Sequence, residues 1–199
     1  MLFLYSDVQS GDIFRKWFSS LKHLSQFYKV YFDTIFNPDL YTENVFLNYV
    51  TALETFHKIV YPLSNKALTN KHEKRLEGIF SRIQKKDLEW LKANLKPGVI
   101  QTREATLSDR IAFLITTYDS SKLIFRSRRG IADKIATKRN AIVHRYSSAA
   151  KKESIKNAEL HKWNRSIRAF IQSIILQYLG FDLVSTQKHL RRHNLFLSQ

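Results

Sequence analysis

The chain has 199 residues, 44% of them hydrophobic, and this length and composition favour a single soluble domain with its own core. It has no cysteine, which excludes disulfides and thiolate metal sites. The sequence has neither a signal-peptide pattern nor an apolar run long enough to span a membrane, so we expect a cytoplasmic protein without membrane association. The net charge is +16, and residues 61–199 carry 28 Lys and Arg against 11 Asp and Glu, which favours a polyanionic partner such as RNA or DNA over a merely well-solvated basic surface.

The N-terminal segment is rich in aromatic residues at helical spacing, from Ile13 to Ile35. The pattern predicts one helix with Asp12 as its N-cap. Because this part of the chain has no excess of positive charge, we interpret the rings as core or interface residues rather than as stacking platforms for bases. A turn at 37–39 then leads to a helix predicted over 42–61, which Pro62 stops.

Glu54 lies next to the apolar stripe of the helix predicted over 42–61, and His57 follows three residues later on much the same side. A carboxylate in this position can orient a catalytic histidine or arginine on a neighbouring helix. The alternative is a surface ion pair with Lys58, four residues on. The residues leave both interpretations open.

The middle of the chain is basic and mostly helical in pattern. A helix is predicted over 70–95 with a break between Ile83 and Leu88, and its positive residues are more typical of a solvated face than of a nucleic-acid groove. A second helix is predicted to begin at Ser108, as N-cap, and to run to Tyr118. The loop that follows contains three arginines, whose guanidinium groups can hold an RNA backbone without reading its bases. These are Arg126, Arg128 and Arg129.

A central helix is predicted over 131–146, IADKIATKRNAIVHRY, because apolar residues recur there at steps of three, four and seven. At about 100° per residue, Asn140 and His144 share a face, whereas Arg139 lies roughly 140° from His144 and needs its long side chain to reach it. A guanidinium suits phosphate and an imidazole transfers protons near neutral pH, so the two together can break a phosphodiester without a metal. The alternative is a structural histidine partly buried in the helix.

The C-terminal part is predicted to hold a long helix over 154–179, ended by Gly180 at the C′ position, and a short basic helix from Asp182. The histidines of this last segment have no carboxylates at ligand spacing, so neither a metal site nor a cofactor is expected. With five glycines, three prolines and helical periodicity in every long segment, the chain is predicted to be all-α.

Three stretches, in this order, resemble the Apea-like branch of the HEPN superfamily, found in prokaryotic defence and toxin-like proteins. They are NYVTALETFHKIV (48–60), TLSDRIAFLI (106–115) and the run from Arg139 to Tyr146, RNAIVHRY. The resemblance spans 42–180. Ribonucleases of this family carry Arg-x4–6-His, and Arg139 and His144 stand at the short end of that spacing, with Asn140 as the polar residue that often follows the arginine.

The resemblance implies a HEPN-type helical bundle that acts as a metal-independent endoribonuclease in anti-phage defence or toxin-like abortive infection. It implies a homodimer whose two motifs share one cleft. Arg139, His144, Asn140 and Glu54 are the expected catalytic residues. The expected RNA-binding residues are Arg126, Arg128, Arg129, Lys138 and Arg145.

The whole chain is expected to form one HEPN-like domain, with an N-terminal amphipathic helix in 1–40, a core bundle in 42–180 and a basic tail in 181–199. The abrupt start favours a C-terminal piece of a longer protein. Two alternatives to the enzyme stay open at this point: a module that binds RNA, nucleotide or a protein partner without cutting, and a dimerisation element of a larger defence protein.

Overall fold

The structure is a computed structural model that describes residues 11–62, 74–75, 77–94, 105–119, 122–125, 130–144 and 157–192. Across these residues the chain is all-α, as predicted, and contains no strand. A helical stretch at 77–80 precedes the fourth of the helices numbered here. In chain order the helices are α1 (Gly11–His23), α2 (Ser25–Phe36), α3 (Thr42–Val60), α4 (Lys85–Asn94), α5 (Leu107–Tyr118), α6 (Ile131–Val143), α7 (Asn157–Leu179) and α8 (Leu183–Arg192).

Helices α3 and α7 lie at the centre of the bundle. Helix α3 packs against α2 on one side, against α5 and α6 on another, and against α7 along its length, while α8 packs on α7. Leu53 and Phe56 of α3 and Phe170 and Ile174 of α7 are completely buried. Each such side chain contributes about 1.5–3 kcal/mol when it leaves water, so the apolar stripes found in the sequence form one continuous core.

The aromatic N-terminal segment forms two helices, so the prediction of one continuous helix with Asp12 as N-cap is wrong. The chain bends at buried Leu24, although the Tyr28 N–H still donates to the Leu24 carbonyl (2.9 Å). Just before the bend, the Ser20 hydroxyl donates to the Trp17 carbonyl (2.7 Å) and lies 2.9 Å from the Tyr28 hydroxyl. A serine that bonds back to the preceding turn favours such a bend. Asp12 lies within the first turn of α1.

Helix α5 begins with a capping box, and the prediction of Ser108 as its N-cap is wrong. The N-cap is Thr106, whose side chain accepts from the Asp109 N–H (3.2 Å), while the Asp109 carboxylate accepts from the Thr106 N–H (2.9 Å). Two otherwise unpaired backbone donors are satisfied in this way. The Ser108 hydroxyl instead donates to Asp133 of α6, which joins α5 to the helix that carries the Arg-Asn-His motif.

The C-terminal segment is part of the packed bundle as far as Arg192. Gly180 ends α7 with φ 105°, its N–H donates to the Gln177 carbonyl (3.0 Å), and the Phe181 N–H donates to the Leu176 carbonyl (3.1 Å), which is the predicted glycine C-cap. Downstream, His189 is buried edge-on to Phe181, with ring centroids 5.3 Å apart. In the described part of the chain, no helix is both long and apolar enough to cross a bilayer.

Candidate active site on helix α6

Helix α6 is buried at its start and exposed at its end. It begins after Gly130, whose φ of 71° lies in the left-handed region that favours glycine. Ala132 and Ile135 are buried against the bundle, where α6 packs on α5 and α3. The helix ends at Val143, not at 146 as predicted, and Val143 is 46% exposed rather than on the buried side. Because the bundle covers fully only the first half of α6, the polar motif lies on its exposed end.

Asn140 connects the two other residues of the motif. Arg139 is a half-buried residue, and the Nη1 of its guanidinium donates to the Asn140 side-chain oxygen (3.2 Å) in an exposed hydrogen bond. His144 is the C-cap residue, with an exposed side chain, and its backbone N–H donates to the Asn140 carbonyl (2.9 Å). The arginine therefore has a partner on the same helix, and the His144 side chain is exposed at the end of that helix.

Glu54 is half-buried on α3, which packs against α6. Its Oε1 lies 2.7 Å from the Lys58 ammonium, four residues on along the same helix. This is the surface ion pair that the sequence offered as the alternative to a catalytic role. An ion pair between residues four apart on a helix contributes about 0.3–0.5 kcal/mol, so little would hold Glu54 to Lys58 if a dimer or a substrate offered another partner.

Lys138 is turned toward α7 and away from water. Its ammonium lies 2.6 Å from the Glu159 carboxylate and 5.9 Å from the centre of the Trp163 ring, and its side chain is only 15% exposed. Trp163 in turn lies with its indole nitrogen 3.4 Å from Glu159. Lys138 thus joins α6 to α7, and it can contact RNA only by leaving this ion pair.

A histidine on α3 and an arginine on α5 are buried in the bundle, and the sequence pattern indicated no role for either. His57 of α3 is completely buried, edge-on to Phe113 of α5 at 5.2 Å. Burial, and secondarily the charge of Arg110, lower the pKa of His57 to about 4. Arg110 is 3% exposed, and its Nε donates to the Ala105 carbonyl (3.1 Å). An arginine directly before the apolar run of α5 was the available signal for this buried charge.

The other predicted contacts with RNA, Arg126, Arg128, Arg129 and Arg145, lie outside the described residues. Within the ranges that the structure describes, no group of three or more His, Asp or Glu side chains is arranged to hold a metal ion. Of the predicted catalytic residues, Arg139, Asn140 and His144 therefore lie at the end of α6, and Glu54 lies on α3, which packs against α6.

Comparison with protein families gives one match that covers most of the chain. The family model described as Apea-like HEPN matches residues 47–184, which include most of α3, the whole of α6 and the Arg-Asn-His motif. Comparisons with curated proteins and with solved structures gave no match.

Proposed function

The chain belongs to the Apea-like HEPN family, and on this basis we propose that it is a metal-independent endoribonuclease that cleaves single-stranded RNA. HEPN domains are often ribonucleases, and membership supports a nuclease or other RNA-related role. The observation that carries the proposal is the exposed His144 at the end of α6, one turn beyond an Asn140 that holds Arg139. A cytoplasmic role in anti-phage defence or toxin-like abortive infection is part of the proposal.

In the proposed reaction His144 acts as the general base. Its imidazole removes the proton of a ribose 2′-OH, and the oxygen attacks the adjacent phosphorus in line. The bond from phosphorus to the 5′ oxygen breaks, and the leaving oxygen takes a proton from a second His144 or from water. The products are a 2′,3′-cyclic phosphate and a 5′-hydroxyl end. DNA has no 2′-OH and is not a substrate of this reaction.

Arg139 stabilises the charge that develops on the phosphate oxygens, as a planar guanidinium with several donors can. Its hydrogen bond to Asn140 keeps the guanidinium near the helix end, so Asn140 is a positioning residue in this mechanism. Glu54 is proposed to orient the site from α3, which requires it to exchange Lys58 for a group of the site.

Two copies of the chain are proposed to form the complete site, with their His144 side chains facing one cleft. The basic surplus of residues 61–199 supplies the field that attracts RNA to it. Arg126, Arg128, Arg129, Lys138 and Arg145 are the proposed contacts to the RNA backbone. Lys138 takes part only if RNA phosphate replaces the Glu159 carboxylate as its partner.

The test is cleavage of an end-labelled single-stranded RNA by the wild-type protein with and without EDTA. Cleavage is expected in both conditions, with a cyclic phosphate on the product, and a DNA of the same sequence is expected to stay intact. Arg139→Ala and His144→Ala are expected to lose cleavage while they retain the wild-type circular dichroism spectrum. His23→Ala, which removes another exposed histidine at a helix end, is the matched control and should cleave normally.

Cleavage that survives His144→Ala, or that requires an added divalent ion, would contradict the proposal. Mixing the two inactive variants tests the shared site separately. If each cleft combines residues of two chains, mixed dimers of Arg139→Ala and His144→Ala are expected to recover part of the activity. No recovery, together with a monomer in gel filtration, would contradict the composite cleft but not cleavage by a single chain.

A second candidate function is RNA binding without cleavage, and one observation favours it. In the single chain, Glu54 is paired with Lys58, so this proposed catalytic residue already has another partner. Tight, salt-sensitive RNA binding with no product in the cleavage assay would support this module.

A further inference from the structure

A separate pocket lies between the N-terminal turn of α3 and the first half of α7. It has a volume of about 260 Å³, just below the roughly 300–1,000 Å³ of sites for drug-sized ligands. Its polar lining comes from Thr42 and Tyr49 of α3 and from His161, Asn164, Arg165 and Arg168 of α7. The size fits a small metabolite or the end of a larger molecule.

The pocket is positively charged. His161, Arg165 and Arg168 occur at steps of four and three and therefore lie on one face of α7. Thr42 opposite them is the first residue of α3, and the N-terminal end of a helix carries partial positive charge. Among the described residues that line the pocket there is no carboxylate. These groups together favour the binding of an anion in the pocket.

One side chain that lines the pocket carries a buried polar atom with no hydrogen-bond partner among the described residues. The Asn164 side chain is 7% exposed, and its amide nitrogen donates to the Thr42 carbonyl (2.9 Å), which leaves its oxygen as a buried acceptor. Leaving such an atom unpaired costs about 1–3 kcal/mol, and a ligand hydroxyl would satisfy it. The Arg168 guanidinium contacts the buried Tyr31 hydroxyl, which fixes its position and leaves other donors of its planar fork for an anion.

The pocket is distinct from the site on α6. Lys138 of α6 contacts α7 through Glu159 and Trp163. At about 100° per residue, these two lie roughly 160° around α7 from His161. The Arg-Asn-His motif and the pocket therefore lie on opposite sides of α7.

We propose that this pocket binds a sugar phosphate. The phosphate lies against Arg168, Arg165 and His161 at the start of α3, since guanidinium groups bind phosphate oxygens with paired donors. A sugar hydroxyl donates to the Asn164 oxygen. The ligand is either a free sugar phosphate or the 5′-phosphorylated end of an RNA. The terminal ribose of an RNA keeps its 2′-hydroxyl, so both ligands present a phosphate and a sugar hydroxyl to these side chains.

The test is isothermal titration calorimetry of the whole chain with ribose 5-phosphate, inorganic phosphate and ribose. Ribose 5-phosphate is expected to bind saturably and about fivefold more tightly than inorganic phosphate, because only the sugar supplies a donor to Asn164. Ribose, which lacks the anion, is expected not to bind. Equal affinities for ribose 5-phosphate and phosphate, or no saturable binding of either, would overturn the proposal.

Neighbouring charges on α7 provide a matched pair of variants. Arg165→Gln and Lys162→Gln each remove one positive charge from an exposed position of the same helix, but only Arg165 lines the pocket. Arg165→Gln is expected to weaken ribose 5-phosphate binding about tenfold, and Lys162→Gln by less than about twofold. Arg168→Gln is expected to weaken it at least as much as Arg165→Gln. Equal effects of Arg165→Gln and Lys162→Gln would mean attraction to the general basic surface and would refute the site.

An RNA oligonucleotide distinguishes the two sources of the phosphate. It is titrated into His144→Ala, in which the proposed ribonuclease does not cut it. The pocket is assigned to nucleic-acid ends if the 5′-phosphorylated oligonucleotide binds more tightly than ribose 5-phosphate and the 5′-hydroxyl oligonucleotide binds more weakly. Ribose 5-phosphate binding that equals or exceeds that of the phosphorylated oligonucleotide assigns it to a free ligand. In either case, the ligand that binds more tightly is expected to lose about tenfold in affinity in Arg165→Gln, and no loss would overturn the site.

Discussion

Lowering the pH from 7 to 4 is expected to destabilise the protein through His57. This side chain is completely buried between α3 and α5, and burial together with the charge of Arg110 lowers its pKa to about 4 in the folded protein. In the unfolded chain a histidine has a pKa of about 6.5. The unfolded state therefore takes up a proton below pH 6.5, while the folded state stays neutral until about pH 4.

The stabilising contribution of neutral His57 is present above pH 6.5 and is lost as the pH falls toward 4. A pKa difference of about 2.5 corresponds to about 3 kcal/mol over this interval. The assay is urea unfolding at several pH values between 7 and 4, for the wild type and for His57→Gln. Carboxylates titrate in both proteins, so the difference between their slopes reports His57 alone.

The wild type is expected to lose about 3 kcal/mol more than His57→Gln between pH 7 and 4. His23→Gln, which changes an exposed histidine, should keep the wild-type slope. The same pH dependence in wild type and His57→Gln would refute the reasoning, because it would mean that His57 accepts a proton equally well when folded and unfolded. An absolute loss of stability in His57→Gln at pH 7 would not affect the comparison.

Three further predictions concern α7, α5 and the link between α6 and α7. Gly180→Ala is expected to destabilise the fold by about 1–2 kcal/mol in thermal unfolding, because the φ of Gly180 is 105°, which residues with a Cβ rarely adopt. Gly78→Ala is the matched control and should be neutral or stabilising, because no atom lies within 4 Å of the added methyl group. Thr106→Ala removes the capping box and is expected to lower the free energy of unfolding by about 1 kcal/mol in urea, and no change would contradict the cap. Glu159→Gln releases Lys138 and is expected to tighten RNA binding and to steepen its salt dependence by about 0.7 in logarithmic slope, whereas weaker binding would exclude Lys138 from the RNA interface.

The local pattern of the sequence was sufficient for most helices and for the family. Helical spacing of apolar residues predicted α3 to within a residue of its end, the glycine C-cap of α7, and an all-α fold. The order of three short stretches was enough to indicate the Apea-like HEPN family. The helices and the cap depend on contacts between residues three to five positions apart, which a sequence displays directly.

Only the tertiary structure decided which partners the polar residues have. Lys138 pairs with Glu159 because α6 and α7 turn those faces toward each other, and no local rule specifies that rotation. The pocket brings Thr42 within hydrogen-bonding distance of Asn164, 122 positions away. The order of residues in the chain determines where charged and aromatic side chains lie along each helix. The packing of the helices determines which of these side chains are buried. Burial in turn determines the pKa of a side chain and its availability to a ligand.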